Sequence, residues 1–312
     1  MNCPTCHAPI EDGLVSCRAC AERKSRAMHV LNLGAGVQST TLYLMSIEGS
    51  APKFDVAIFA DTGEEPQAVY RHLEWLQSLQ GPPILVRSAG RLGDDLKSGK
   101  RPEGASQKSR FVSIPAFTII EGGTRGITRR QCSTEYKIWV IERTIRRDVL
   151  GLPKGRRVPR GITVHQYFGI SLDERSRASR IWERFHVTGE SKFIPHFPLI
   201  DRMMTRANCL DWLSSRVPHE VPRSACVFCP FHTDAEWQRL KDRGGPDWAR
   251  AVEIDSLLRT EGARLNRDMR QTMYLHGSCK PLTEVDFRPR INVKELQLGF
   301  GFDVECEGVC GV

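Results

Sequence analysis

Residues 29–41, His-Val-Leu-Asn-Leu-Gly-Ala-Gly-Val-Gln-Ser-Thr-Thr, decide how this chain folds. The run His29 to Leu33 reads as a buried strand, and the small residues Gly34, Ala35 and Gly36 follow it directly. A helix is expected from Leu42 to Glu48, then a second strand, Asp55 to Ala60, ending in Asp61-Thr62-Gly63. Two parallel strands whose carboxyl ends carry a small-residue loop and an acidic turn make a ligand crevice. The fold class they predict is α/β, a doubly wound and mostly parallel sheet. Small residues let backbone approach an anion closely, and the amides opening a helix favour negative charge. Ser39, Thr40 and Thr41 add hydroxyls there, so the stretch reads as a phosphate or sulfate cradle. It is not G-x-x-x-x-G-K-[ST], because no Lys precedes Ser39, and it is not G-x-G-x-x-G. A plain strand-to-helix turn would use the same residue types.

Working outward, the pattern from Met28 continues as β-α-β-α-β. A helix from Glu65 to Leu79 places Val69, Leu73, Leu76 and Leu79 on one face, with Pro66 in its first turn. A strand at Ile84 to Val86 follows. Residues 88–126 are polar, basic and rich in Gly, and read as a lid or as a segment that orders on a ligand. A helix from about Thr134 to Val149 is stopped by Gly151 and Pro153. The strand Thr163 to Ile170 then empties into Ser171-Leu-Asp-Glu-Arg-Ser-Arg177, bringing a third strand end to the same edge. Helical segments are expected at 205–216, 234–243 and 247–259. The domains so drawn are 1–25, 28–200 and 201–312.

With 312 residues, 40% hydrophobic and 26% charged, the composition is that of a soluble globular protein. No apolar run reaches membrane-spanning length and Met1-Asn2-Cys3-Pro4 does not open a signal peptide, so a cytoplasmic location is expected. The net charge of +8 is concentrated in residues 97–160, where 16 Lys or Arg face 5 Asp or Glu. That segment reads as a surface for nucleic acid or a highly charged nucleotide, or as a solvated insert. Its few aromatics, Phe111, Phe117, Tyr136 and Trp139, give base stacking little support.

Eleven cysteines in a reducing compartment point to metal or redox chemistry. Cys3, Cys6, Cys17 and Cys20 form C-x2-C-x10-C-x2-C, two thiolate knuckles suited to tetrahedral zinc in a stretch too short for its own core. Cys226-Val-Phe-Cys229-Pro230 is a further knuckle, suited to zinc, an iron–sulfur cluster or a dithiol. Cys132, Cys306 and Cys310 are its natural partners. Cys209, on the apolar side of a helix, reads as a small core hydrophobe.

Taken in order, these segments resemble the phosphoadenosine phosphosulfate reductase family within the adenine nucleotide alpha-hydrolase-like (PP-loop) superfamily, in its phage and bacterial branch. The resemblance runs from about Leu31 to the C-terminus. Gly34-Ala-Gly-Val-Gln-Ser39 stands where the family has S-G-G-x-D-S, and Phe59-Ala-Asp-Thr-Gly63 resembles its D-T-G strand end. Cys132-Ser-Thr-Glu-Tyr-Lys137 is similar to C-C-x-x-R-K, and Gly169 to Arg177 to a G-I-R segment. Phe197-Pro-Leu-Ile200, Cys226-x-x-Cys229 and Glu305-Cys306 follow in the family's order. Gln38 replaces the loop Asp, Ser133 the second Cys, and Tyr136 the Arg.

The resemblance implies a HUP/PP-loop sheet holding an adenine nucleotide, phosphoadenosine phosphosulfate or ATP, at Gly34, Ala35, Gly36, Gln38, Ser39, Thr40, Asp61, Thr62 and Gly63. Asp61 would hold magnesium or the ribose, or merely cap a helix. Lys137 and Arg177, with Arg175, would neutralise the transferring group. A [4Fe–4S] cluster would sit on Cys132, Cys226, Cys229 and Cys310, with Cys306 as the alternative fourth ligand, or on three thiolates with one open iron. Three activities follow as expectations: sulfonucleotide reduction, ATP-dependent thiolation of a nucleic acid, or nucleic-acid binding on a degenerate nucleotide fold. The first two call for a protein that donates electrons or sulfur, and the second for nucleic-acid contacts from 97–160 and the ribbon. None involves a membrane.

Overall fold

The computed structural model describes residues 26–103, 105, 113–119, 123–187, 192–261 and 271–288. The ribbon cysteines Cys3, Cys6, Cys17 and Cys20, the tail cysteines Cys306 and Cys310, and residues 106–112 and 120–122 of the basic segment lie outside them. Among the described residues five parallel strands form the central sheet: β1 (Arg26–Asn32), β2 (Val56–Asp61), β3 (Ile84–Ser88), β6 (Ile162–Phe168) and β7 (Phe193–His196). Their order is β3-β2-β1-β6-β7. Three short strands, β4 (Phe117–Ile119), β5 (Arg125–Ile127) and β8 (Met273–Tyr274), make a separate antiparallel sheet.

Alternate residues of the strands feed two cores, as expected for a sheet covered on both faces. Leu31, Leu33, Ala57 and Phe59 pack with α1 (Val37–Ile47) and α2 (Gln67–Ser78). Met28, Val30, Val56, Ile58 and Ala60 pack instead against Val140, Ile141 and Ile145. The last three lie on α4 (Trp139–Thr144) and the wide π-turn after it, Ile145–Val149; a second π-turn, Thr134–Ile138, precedes α4. The order of connection therefore reverses between β1 and β6, and the crevice of a doubly wound sheet opens at their carboxyl ends.

The remaining helices build outward from this frame. Helix α5 (Arg175–Val187) follows β6, a short α6 (Pro198–Asp201) follows β7, and α7 (Arg206–Ser214) buries Cys209 and Leu213 in the core of α1. Thr205 and Asn208 close a capping box at the start of α7. A further core joins α3 (Leu92–Ser98), Tyr136, Val227 and Phe228 of the knuckle, α8 (Asp234–Arg243) and α9 (Gly245–Thr260). The carboxylate of Asp255 holds the β8 side of this core by accepting from the amides of Leu275 and Leu282.

Two expectations change here. Within 88–126 the described residues are not a bare lid: they form α3, and β4 pairs with both β5 and β8. The edge strand β7 was not anticipated; Pro195 sits in it, which only an edge position or a bulge accommodates. No helix among the described residues is long and apolar enough to cross a membrane.

Candidate functional site

The loop after β1 turns tightly. Ala35 takes a left-handed conformation, φ 58°, and Gly36 is the extended residue that opens α1. The first intrahelical bond runs from Thr40 N–H to the Gly36 carbonyl, so the amides of Val37, Gln38 and Ser39 have no partner inside the helix. The hydroxyls have their own business. Ser39 Oγ accepts from Gly34 N–H at 3.2 Å, and Thr41 Oγ1 donates to the Val37 carbonyl at 2.9 Å. The Ser39 and Thr41 hydroxyls are thus engaged within the loop and the helix.

Gln38 is fully buried and crosses the crevice. Its Nε2 donates to Ser171 Oγ at 3.3 Å and to Glu174 Oε2 at 3.0 Å. Arg177, also buried, donates from Nη1 to Glu174 Oε1 at 2.9 Å. The loop after β1 and the segment after β6 are thus tied by a Gln38–Glu174–Arg177 chain. Nothing local to Glu174 shows that Gln38, 136 residues away, would bind it.

At the end of β2, Asp61 Oδ1 accepts from Gly63 N–H at 2.7 Å and from the Tyr70 hydroxyl at 2.9 Å. Burial and the neighbouring Asp61 charge push the Tyr70 phenol well above its usual value, so it stays a donor. Gly63 needs its missing side chain twice: φ is +72°, and a Cβ would come within 2.8 Å of Arg91. Thr62 Oγ1 lies 3.2 Å from Cys226 Sγ, and the amide of Val227 bonds the Glu64 carbonyl at 2.8 Å. The acidic turn and the cysteine knuckle are one structural unit.

Cys132, Cys226 and Cys229 line a single small recess of about 20 Å³ together with Thr62, Ser133 and Lys137. Its other walls are mainly apolar, among them Leu92, Ile114, Phe228 and Pro230. Ser133 Oγ is buried there with no hydrogen-bond partner. Among the described residues no three His, Cys, Asp or Glu side chains converge on one point as a single metal ion requires. The donor set still suits an iron–sulfur cluster, whose ligands are spread over several irons, and the Arg130 and Lys137 side chains that line the recess favour thiolates there. Cys209, by contrast, is wholly buried in the α1 core, away from this set.

Lys137 is inside the protein, not at its surface. Its Nζ bonds Glu65 Oε1 at 3.1 Å, with the two side chains 5% and 0% exposed. Ser224 Oγ donates to the other oxygen of Glu65 at 3.3 Å. Glu64 is likewise buried, held by Arg250 and Arg91 and by the amide of Gly93. Glu64 and Glu65 are thus both buried ionic anchors, for α9 and for α4's leading turn. Asp173 accepts from the amide of Arg206, closing the far side of the crevice.

Thr40 points away from the loop. Its Oγ1 lies 2.9 Å from His72 Nε2, and His72 Nδ1 lies 2.8 Å from His219 Nε2. Burial, aided by His219, pushes His72 down to about 3. The unfolded chain binds a proton at this position below about pH 6.5, whereas the folded one stays neutral until about pH 3. The resulting stability is complete above pH 6.5 and is lost as pH falls, by about 1.4 kcal/mol per unit. A His72→Gln variant should lose about 2 kcal/mol less than wild type between pH 6.5 and pH 5. Urea midpoints at the two pH values check this; parallel losses in both proteins would contradict it.

The structure thus brings Gln38, Asp61, Thr62, Gly63, Lys137, Arg177, Cys132, Cys226 and Cys229 to the carboxyl edge of one sheet. Glu174, Glu65 and the His72–His219 pair were missed as members of this region, since each is recognised only by a partner distant in sequence.

No protein-family model matches the chain, and no curated protein matches it. Among solved structures, one similar to the chain is the U34-tRNA thiolase NcsA from Methanococcus maripaludis with its [4Fe-4S] cluster. The two are 14% identical over 82% of this chain and 88% of that one, with a TM-score of 0.31. That degree of likeness says nothing of substrate.

Proposed function

We propose that this chain is an adenine-nucleotide-dependent enzyme of sulfur chemistry, acting at the nucleotide's phosphate or sulfate beside a cysteine-held [4Fe–4S] cluster. The observation that carries it is the Thr62 Oγ1 to Cys226 Sγ contact of 3.2 Å, which joins the acidic strand end to the thiol recess. The cluster would be held by Cys132, Cys226 and Cys229, with a tail cysteine or no cysteine as the fourth ligand. It supplies electrons or sulfide when bound. The amides of Val37, Gln38 and Ser39 bind the anion, and Asp61 is the group for magnesium or the ribose. Lys137 offsets the thiolate charge and the anion's from within the recess wall, and Arg177 positions Gln38 through Glu174. The zinc ribbon at 1–25 remains part of the proposal as a metal-held cap.

Two reactions share this arrangement: reduction of phosphoadenosine phosphosulfate, and ATP-dependent thiolation of a nucleic acid. The unpartnered Ser133 in the place of a second cysteine favours thiolation, because a cluster with three cysteine ligands leaves one iron open to carry sulfur. Anaerobic turnover with each nucleotide, with and without nucleic acid, separates them. ATP cleavage stimulated by nucleic acid is expected; sulfite release from the sulfonucleotide would assign the reductase instead. An Asp61→Ala variant should weaken nucleotide binding while keeping its circular dichroism, and unchanged affinity would move the pocket elsewhere.

A further inference from the structure

We propose that the arginine-lined trench between α2, α7 and α8 binds the phosphodiester backbone of the acceptor strand; this rests on the thiolation reading above. The trench encloses about 1670 Å³, open to solvent, and carries Arg71, Arg206, Arg223, Arg239, Arg243 and His232. It borders the site: Pro66 and Ala68 follow Glu65, and Ala225 precedes Cys226. Its three acids are Glu220, which is exposed, Glu236 and Asp247, against five arginines. Glu236 pairs with Arg223 and closes the Thr233 capping box, and Asp247 accepts from the amide of Gln67 at 3.2 Å. Arg71, Arg239 and Arg243 are exposed and make no ion pair with another described residue.

Such a surface fits a polyanion rather than a small ligand. Its walls hold no Phe, Tyr or Trp, so contact would be to phosphates and would carry no base preference. The other basic cleft, with Arg143, Arg146, Arg147, Lys154 and Arg156, suits the acceptor less well. Glu103 pairs with both Arg143 and Lys154 there. It also lies beyond α4, where Val149 and Leu150 pack with Met28 and Ile162 at the amino ends of the strands. The cysteine recess is at the opposite edge.

The test is fluorescence anisotropy of the full chain with labelled single strands of about 12 nucleotides, DNA and RNA, over a range of salt. An Arg71→Glu/Arg239→Glu/Arg243→Glu variant should bind at least about tenfold more weakly and lower the log–log salt slope by about 2 to 3. An Arg147→Glu/Lys154→Glu/Arg156→Glu variant of the other cleft should bind within about twofold of wild type. A milder Arg→Gln trench triple, checked by circular dichroism, gives the same direction if the first is poorly folded. A wild-type chain that binds both strands while the trench triple binds equally well overturns this inference alone. A wild-type chain that binds neither strand removes the thiolation reading with it. Polyglutamate competing as well as nucleic acid would mark the trench as a contact for acidic proteins and overturn the assignment.

Discussion

Cys132→Ala, Cys226→Ala and Cys229→Ala should each strip the anaerobically purified protein of most of its iron and abolish turnover. A cluster held by three thiolates from this recess cannot lose one without exposing a further iron to solvent and oxygen. Cys209→Ala is the matched control, because Cys209 is buried in the α1 core and borders no part of the recess. It should cost about 1 kcal/mol in stability, leaving iron content unchanged. Iron and sulfide analysis beside visible absorption reads both outcomes. Full iron content in any of the three recess variants would remove that cysteine from the ligand set.

Lys137→Met should destabilise the chain by about 3–5 kcal/mol. Removing one member of a buried ion pair leaves the other as an unpaired charge, and Glu65 has 0% side-chain exposure. Ser224 would be its one remaining side-chain partner of those described above. A Glu65→Gln/Lys137→Met double variant removes both charges and should recover most of the loss, since no unpaired charge then remains buried. Urea midpoints of the singles and the double give the coupling directly. A Lys137→Met protein as stable as wild type would mean that the pair is not formed in solution. Loss of turnover in a stable double variant would separate the electrostatic role of Lys137 in the recess from its structural role.

The centre of the fold was legible because its signals are local. β2 is a nearly continuous apolar run of the kind that a parallel strand buried on both faces requires, and β1 carries Val30 and Leu31 just before its loop. The small residues 34–36 and the Asp61-Thr62-Gly63 turn announce the strand ends. The start of α1 was read five residues late, at Leu42 rather than Val37, because Gln38-Ser39-Thr40-Thr41 has little helix propensity; these residues are helical through burial instead. The small sheet was hidden for a different reason. β4 is three residues long and finds β8 more than 150 positions away, a pairing that no local pattern encodes.

The site divides along the same line. The three cysteines and Asp61 could be listed from type and spacing. That Lys137 is an internal cation, that Thr40 turns to His72, and that Glu174 receives both Gln38 and Arg177 depends on packing between distant segments. The replacement of an acidic loop residue by Gln38 looked like a loss of function in sequence. In the fold its amide joins a carboxylate, Glu174, from the facing segment, so the crevice keeps an acidic group within reach of the loop.

The claim on which the rest depends is that the nucleotide loop and the thiol recess serve a single reaction centre. The most direct measurement is electron paramagnetic resonance of the reduced, anaerobically purified full chain, titrated with ATP and with phosphoadenosine phosphosulfate. The account predicts about four irons per chain and a cluster spectrum that changes saturably with one of the nucleotides. A protein carrying zinc but no iron, or an iron signal indifferent to both nucleotides, would contradict it.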